Sequence, residues 1–473
     1  MIGACWSISS RALLTTERLI AGKRMLLLRG NVRECGDDAH RAASVPPARA
    51  DLREARKSAD RSATRLRVAF LSPVDSSDPN ALSGMPYRMR SHLEDRGLEV
   101  VPLHRTPLPD RLRIIPDPVR SRTPAMAKKS WRSLRQAMGM ATEWSLSRPL
   151  FRKRLRHTHK ANDAVSAGIE AVEPDVLFGV CISTMLYELN TSRPIVYFSD
   201  ATARLINDTY PKYRWRSPGY RRLCDIYESH TMARVHTAAF ASQAARDSAV
   251  NEYGLIPQCA HVVPMGANIV PHSDAFRNGE SVDAPSRDDL RLCIIAADPI
   301  RKRVDFAVEV TERLAHHGWN ARLTHIGEPT RRAARSPVTQ CLGRLRLSES
   351  ADRARCEQIL RESHLMLLPS IGEAYGIAPC EAAHFGRPSV VSDAGGLPEV
   401  VINNRTGLVL PVHASAATYA TAIANLALSR SRYLTMASAA RSRATTVLNW
   451  SAWTDRIVEL LEAAAADGSA QRV

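Results

Sequence analysis

Short apolar runs separated by longer amphipathic stretches set the pattern of this chain. Leu66 to Leu71, Glu99 to Leu103, Val176 to Phe178, Ile195 to Phe198, Ala238 to Ser242 and Val262 to Asn268 are brief, rich in Val, Leu, Ile, Phe or Ala, and most end at Ser, Pro or Gly. Runs of this kind predict strands buried on both faces, as in a parallel sheet. The pattern resumes at Leu292 to Ala296, Ala321 to Ile326, Leu365 to Leu368 and Ser389 to Val391. Helical stretches stand between the runs. One follows Gly84 through Leu93 and stops at Gly97. A second covers Glu228 to His236, and a third carries Phe306, Val310 and Leu314 on one face. Others end at Leu360 and at Gly386, the latter with Pro379 in its first turn. Strand, turn, helix, strand is the repeating unit of a doubly wound α/β fold, in which ligands lie at the carboxyl ends of the strands.

Polar segments divide this pattern. Residues 1–63 are basic, rich in Ala and Arg and without sustained apolar periodicity, which predicts a disordered extension. Residues 64–270 form a first Rossmann-like domain, and 271–288, with Ser273, Asn278, Gly279 and Pro285, a linker. A second domain spans 289–448. At 449–465, Trp453, Ile457, Leu460 and Leu461 mark a terminal amphipathic helix. At 473 residues the chain has room for two large domains. No apolar run nears the roughly eighteen residues of a membrane span.

Charge changes the picture in one region. The net charge is +17 and the basic side is mostly Arg. Aromatic content of only 5%, without interleaved stacking platforms, argues against nucleic acid as a partner. The basic cluster Lys128, Lys129, Arg132, Arg135, Arg148, Arg152, Lys153, Arg154 and Arg156 is interleaved with Trp131, Trp144, Leu150 and Phe151. That mixture suits either a helix resting on an anionic membrane surface or a pair of surface helices packed on the domain. Nine cysteines without a C-x-x-C spacing argue against a disulfide framework or a zinc site. They point to a reducing compartment, the cytoplasm, with the inner face of the membrane as the surface a basic patch would meet.

The candidate chemistry lies in the turn after Leu365 to Leu368. Gly376 lets backbone approach a ligand, and the helix start at Ile377 offers free N–H groups to a phosphate. Glu373 in the loop and Glu381 in the helix can grip two parts of one extended ligand. The alternative is an ordinary surface Glu and a helix Glu. Asp298-Pro299-Ile300-Arg301-Lys302-Arg303 forms another strand-end loop, whose Arg301 and Lys302 are either cations for a phosphate or a solvated pair at a helix start. Asp200 follows Ile195 to Phe198 at a strand carboxyl end and is either a site carboxylate there or a helix cap.

Pro369-Ser370, Glu373, Tyr375, Gly376-Ile377, Glu381-Ala382 and Gly386-Arg387-Pro388 together resemble the E-x7-E signature of retaining glycosyltransferases of the glycogen-synthase-like GT-B class, family 4, or glycosyl transferases group 1. Gly395-Gly396-Leu397-Pro398-Glu399 and Thr406-Gly407 resemble the same family. The resemblance covers roughly 66–465. It implies two Rossmann-like domains facing across a cleft, the first for the acceptor and the second for the donor, with the terminal helix crossing back to the first. The activity it implies is transfer of a sugar, with retention, from a nucleotide sugar to a hydroxyl of a glycan, glycolipid or small molecule, for example in cell-envelope polysaccharide. The acceptor is then a sugar or a lipid-linked sugar. The family pattern puts Glu373 on sugar hydroxyls, Arg301 and Lys302 on the diphosphate, and Glu381 on the nucleotide ribose. Gly84, Gly376 and Ile377 would stand near donor phosphate, and Asp200 on the acceptor side. No metal or further cofactor is expected, since the chain has no D-x-D pair. The chain departs from the family at four places: Met265 replaces an Asn, Ala297 and Arg303 replace glycines, and no His stands beside Asp200. Two other classes remain. A nucleotide-sugar epimerase or hydrolase of the same fold would need further carboxylates. A non-catalytic protein binding through its basic surface would have no use for the paired Glu373/Glu381 and Arg301/Lys302 sets.

Overall fold

A computed structural model describes residues 65–104, residues 155–272 apart from 157, 160, 161, 211, 212, 214, 215 and 217, and residues 283–470. The basic extension 1–63, nearly all of the basic stretch 128–160 and most of the linker lie outside the described residues.

Two parallel six-stranded sheets carry the chain. The first contains β1 (Arg67–Ser72), β2 (Glu99–His104), β3 (Val176–Val180), β4 (Ile195–Ser199), β5 (Thr237–Phe240) and β6 (Ala260–Val262), in the order 2-1-3-4-5-6. The second contains β7 (Leu290–Ile295), β8 (Ala321–Ile326), β9 (Thr339–Cys341), β10 (Leu365–Leu368), β11 (Ser389–Ser392) and β12 (Gly407–Leu410), in the order 12-11-10-7-8-9. Counted within its own domain, the second sheet has the Rossmann order 3-2-1-4-5-6. The central strands β3, β4, β10 and β11 are buried at every position, which is why they read as continuous apolar runs rather than alternating ones.

Strand order reverses between β1 and β3 in the first sheet and between β7 and β10 in the second. A doubly wound sheet opens a crevice at such a point, outside the carboxyl ends of the two strands. The segment 296–303 follows β7 and the segment 369–376 follows β10, so the second crevice is walled by the two loops that carry Arg301, Lys302 and Glu373. The loops are joined directly, with the Ile371 N–H donating to the Arg301 carbonyl at 2.9 Å.

Helix Trp450–Ala470 leaves the second domain and packs on β3, β4 and β5 of the first. Trp453 is its anchor. The ring is 1% exposed and meets Phe178 at 6.0 Å, Phe198 at 5.6 Å and Trp450 at 5.5 Å between centroids. Among the described residues no helix is long and apolar enough to cross a membrane.

Two local expectations need correction. The last strand in the first sheet covers Ala260–Val262; the Val263 N–H makes one more bond, donating to the Phe240 carbonyl at 2.8 Å, and the chain then leaves the sheet. The helix placed at Glu228 to His236 spans Pro218–Met232 instead, because the 236–240 segment is already turning into β5. Arg303 adopts φ 53°, ψ 51°, the left-handed conformation that a family glycine takes freely. Its side chain is fixed in compensation, donating to the Val412 carbonyl at 2.9 Å and lying over the Phe306 ring at 3.7 Å.

Candidate active site

The loop after β10 is built on glycines because three backbone segments converge there. Gly376 has φ +116°, and a Cβ on it would stand 2.6 Å from Leu397 Cδ2. Gly395 has φ +57°, and a Cβ there would stand 1.7 Å from the Glu373 carbonyl oxygen. The Gly395-Gly396 turn therefore backs the Glu373 loop at a distance no side chain allows.

Glu373 is 7% exposed, and Arg301 and Lys302 meet it there. Its Oε1 lies 2.7 Å from Arg301 Nη1 and 3.6 Å from Lys302 Nζ. The Ser370 hydroxyl donates to the same oxygen at 3.2 Å. Arg301 Nη1 also donates to the Gly372 carbonyl at 2.7 Å, and its backbone N–H donates to Asp298 Oδ1 at 3.1 Å. Lys302 Nζ donates to the Ile295 carbonyl at 3.0 Å. A guanidinium carries five N–H donors and an ammonium three, so both cations keep donors for a ligand phosphate while anchored this way.

Glu381 lies in helix Ile377–His384 and is 5% exposed. Burial pushes its carboxyl up to about 8, against Lys302, the Asn268 backbone N–H, Arg88 and Arg353, all of which favour the anion. At neutral pH such a carboxyl can both donate to and accept from a pair of hydroxyls. At the start of that helix Pro379 has no N–H, so Ile377 and Ala378 supply the free amides beside Gly376.

The first domain closes the site from the other side. Gly84 ends a short 3-10 turn at the start of helix Met85–Asp95. The Asn268 side chain donates to the Ser83 carbonyl, and Arg88 donates to the Asn268 carbonyl at 2.9 Å. Asn268 therefore links the Gly84 loop to Glu381. Asp200 sits at the carboxyl end of β4, partly exposed. Burial pushes its carboxyl up to about 6 and the charge on Glu373 adds to that, while its own N–H and the Cys181 thiol favour the anion.

The structure thus brings Glu373, Arg301, Lys302, Gly376, Ile377 and Glu381 to one crevice, with Gly84 and Asp200 reaching it from the first domain. Reading the sequence missed several neighbours. Arg88 follows Gly84 by one helical turn, a spacing that could have flagged it. Tyr210, which accepts the Ala374 N–H through its hydroxyl at 3.0 Å, belongs to an aromatic and basic cluster visible in the sequence. Glu399 stands in the family-like run Gly395 to Glu399, but its role is tertiary and nothing in that run marks it. Its carboxylate accepts the Gln243 N–H at 2.6 Å and the Ala244 N–H at 3.1 Å, capping a first-domain helix from the second domain.

The raised Glu381 carboxyl has a measurable consequence. A carboxyl protonated more readily in the folded state stabilises the fold below its unfolded value of about 4.3, and that stability is lost as pH rises through about 8. Denaturant melts between pH 5 and 8.5 should show wild-type stability declining over that window and Glu381→Gln declining less. A variant slope equal to that of the wild type would refute the buried carboxyl as the cause.

Comparison with known proteins places this architecture. Residues 290–429 match the family model described as glycosyl transferases group 1. The chain is 24% identical over 233 residues to D-inositol 3-phosphate glycosyltransferase of Mycobacteroides abscessus, covering 46% of this chain and 50% of that protein. The chain spans about half the length of the curated relatives it matches. In three dimensions it is similar to sucrose-phosphate synthase from Thermosynechococcus elongatus, with TM-score 0.59 and 15% identity over 85% of this chain and 100% of that one. It is also similar to HepE of Anabaena crystallised with UDP and glucose, with TM-score 0.52 and 16% identity over 84% of this chain and 100% of that one. With two Rossmann-like domains in place and the second matched over 290–429, the chain has the GT-B fold and its second domain is similar to the glycosyl transferases group 1.

Proposed function

We propose that this protein transfers a sugar from a nucleotide-sugar donor to an acceptor hydroxyl, with retention of configuration. The observation that carries the reading is the buried cluster of Arg301, Lys302 and Glu373 at the strand-order reversal of the second sheet, with Glu381 one helix away. In this reading the diphosphate rests on Arg301, Lys302 and the amides at Gly376 and Ile377. Glu373 takes hydroxyls of the transferred sugar, and Glu381 takes the ribose. As the bond to the diphosphate breaks, negative charge grows on the leaving oxygens, where fixed cations and amides are worth most. Asp200 faces the same point from the first domain and orients the acceptor hydroxyl, whose proton passes to the leaving phosphate. The proteins of similar fold include one crystallised with UDP and glucose, which supports a nucleoside-diphosphate sugar as donor class.

A thermal-shift screen against UDP-, GDP- and ADP-sugars tests the reading. A true donor at a hundred times its dissociation constant stabilises the protein by about 2.7 kcal/mol. If none of the three classes raises the melting temperature, the donor assignment fails. Release of free sugar or an epimer without acceptor would instead identify a hydrolase or an epimerase.

A further inference from the structure

We propose that Tyr210 is the positioning residue that holds Arg301 and the Glu373 loop in register with the acceptor side of the cleft. The proposal rests on reading Arg301, Lys302 and Glu373 as the donor end of the site. Tyr210 belongs to the first domain, immediately after helix Ala203–Thr209, on the same connection from β4 that carries Asp200. Its ring stacks on Tyr213 of the same domain at 5.9 Å between centroids, and two further side-chain contacts cross to the second domain.

Those contacts fall on both parts of the donor cluster. The phenol oxygen accepts the Ala374 N–H at 3.0 Å, which pins the residue next to Glu373. The ring face lies against the Arg301 guanidinium, whose Cζ is 4.7 Å from the ring centroid. The residue before it closes the seam, since a Cβ on Gly372 would stand 2.5 Å from the Thr209 carbonyl oxygen. Arg301 is thereby bounded by Tyr210 on a face, by Glu373 and Gly372 at Nη1, and by Asp298 near Nε at 3.8 Å. A long side chain that loses its rotamers before the donor arrives need not lose them during the reaction.

Charge around Tyr210 supports the same placement. Burial raises its phenol well above the ordinary value, with the charge of Glu373 as the next cause, Asp200 adding to it and Arg301 opposing. The phenol therefore stays neutral. The charge of one carboxylate from each domain, Glu373 and Asp200, thus acts on it.

Two variants separate its two contacts with the second domain. Tyr210→Phe keeps a ring on Arg301 and releases the Ala374 amide, and Tyr210→Leu removes both contacts. Hydrogen exchange over 369–376 in the free protein should speed up about threefold to tenfold in either variant, the equivalent of one lost hydrogen bond. In transfer assays kcat should fall about threefold to tenfold for Phe, and by a similar further factor for Leu as the cation–π contact goes. The donor KM and melting temperature should stay close to wild type. Unchanged loop exchange in both variants overturns the proposal, as does a wild-type kcat in Tyr210→Leu. A kcat loss that only tracks a lower melting temperature also overturns it, since that would mark a merely structural residue. If the wild type turns over no nucleotide sugar, the reading of the donor site fails, and the exchange data alone then decide whether Tyr210 holds the loop.

Discussion

Replacing Arg301 and Lys302 together with Ala lowers kcat about a hundredfold or more, a loss on the scale of deleting fixed donors from an oxyanion site. The magnitude follows from where the charges stand. Both cations converge on Oε1 of Glu373 in a crevice where their side chains are only 13% and 14% exposed. Water screens them weakly there, so in the proposed transfer their attraction for growing charge on the leaving diphosphate is large. Because the charge grows during the reaction, the effect falls on kcat rather than on KM. A control is required by the same geometry. Removing both cations strands Glu373 as a buried anion, and an uncompensated buried charge costs about 3–5 kcal/mol. Adding Glu373→Gln to the double variant should restore the melting temperature without restoring turnover. A double variant whose KM alone rises would reduce the pair to a binding anchor.

Trp453→Ala should destabilise the protein by about 3–5 kcal/mol, the range for emptying a large aromatic site in a core. The ring is 1% exposed and packs edge-on to Phe198 and tilted to Phe178, so few neighbours can collapse into the space. The loss should appear in chemical denaturation and should be recovered in part by Trp453→Phe. A loss below 1 kcal/mol would show that the terminal helix is held by its other residues. Since the helix comes from one domain and the sheet from the other, the same substitution also loosens the attachment of the two halves.

The sheets were legible because their strands are buried on both faces. A run such as Val390-Val391 has one reading, and its place before Gly395-Gly396 leaves little choice of topology. The short strands Thr339–Cys341 and Gly407–Leu410 were missed, since each is partly exposed and brief. Helix Arg430–Thr446 was missed for a different reason. Its buried stripe is largely Ala437, Ala440 and Ala444, with Tyr433 and Met436, so the contrast between its faces is weak. In the site, residues within one loop or helix could be read from the sequence: Glu373 with Glu381 from their spacing, and Arg301 with Lys302 from the family resemblance. Contacts across the seam could not. Nothing local marks Glu399 as the cap of another domain's helix, or Asn268 as the bridge between the Gly84 loop and Glu381. Those roles exist only after the two domains have met.

The crossing of helix Trp450–Ala470 onto β3, β4 and β5 also dictates an order of events during synthesis. Domains generally fold as units and the N-terminal one first, at about 5–20 residues per second of elongation. Here the first sheet leaves the ribosome with the apolar surface around Phe178 and Phe198 uncovered, because the tryptophan that seals it is translated only after the whole second domain. Until then the nascent first domain presents a sticky face to its surroundings. A chaperone that binds stalled chains should hold those arrested before residue 450 and release those that include the helix.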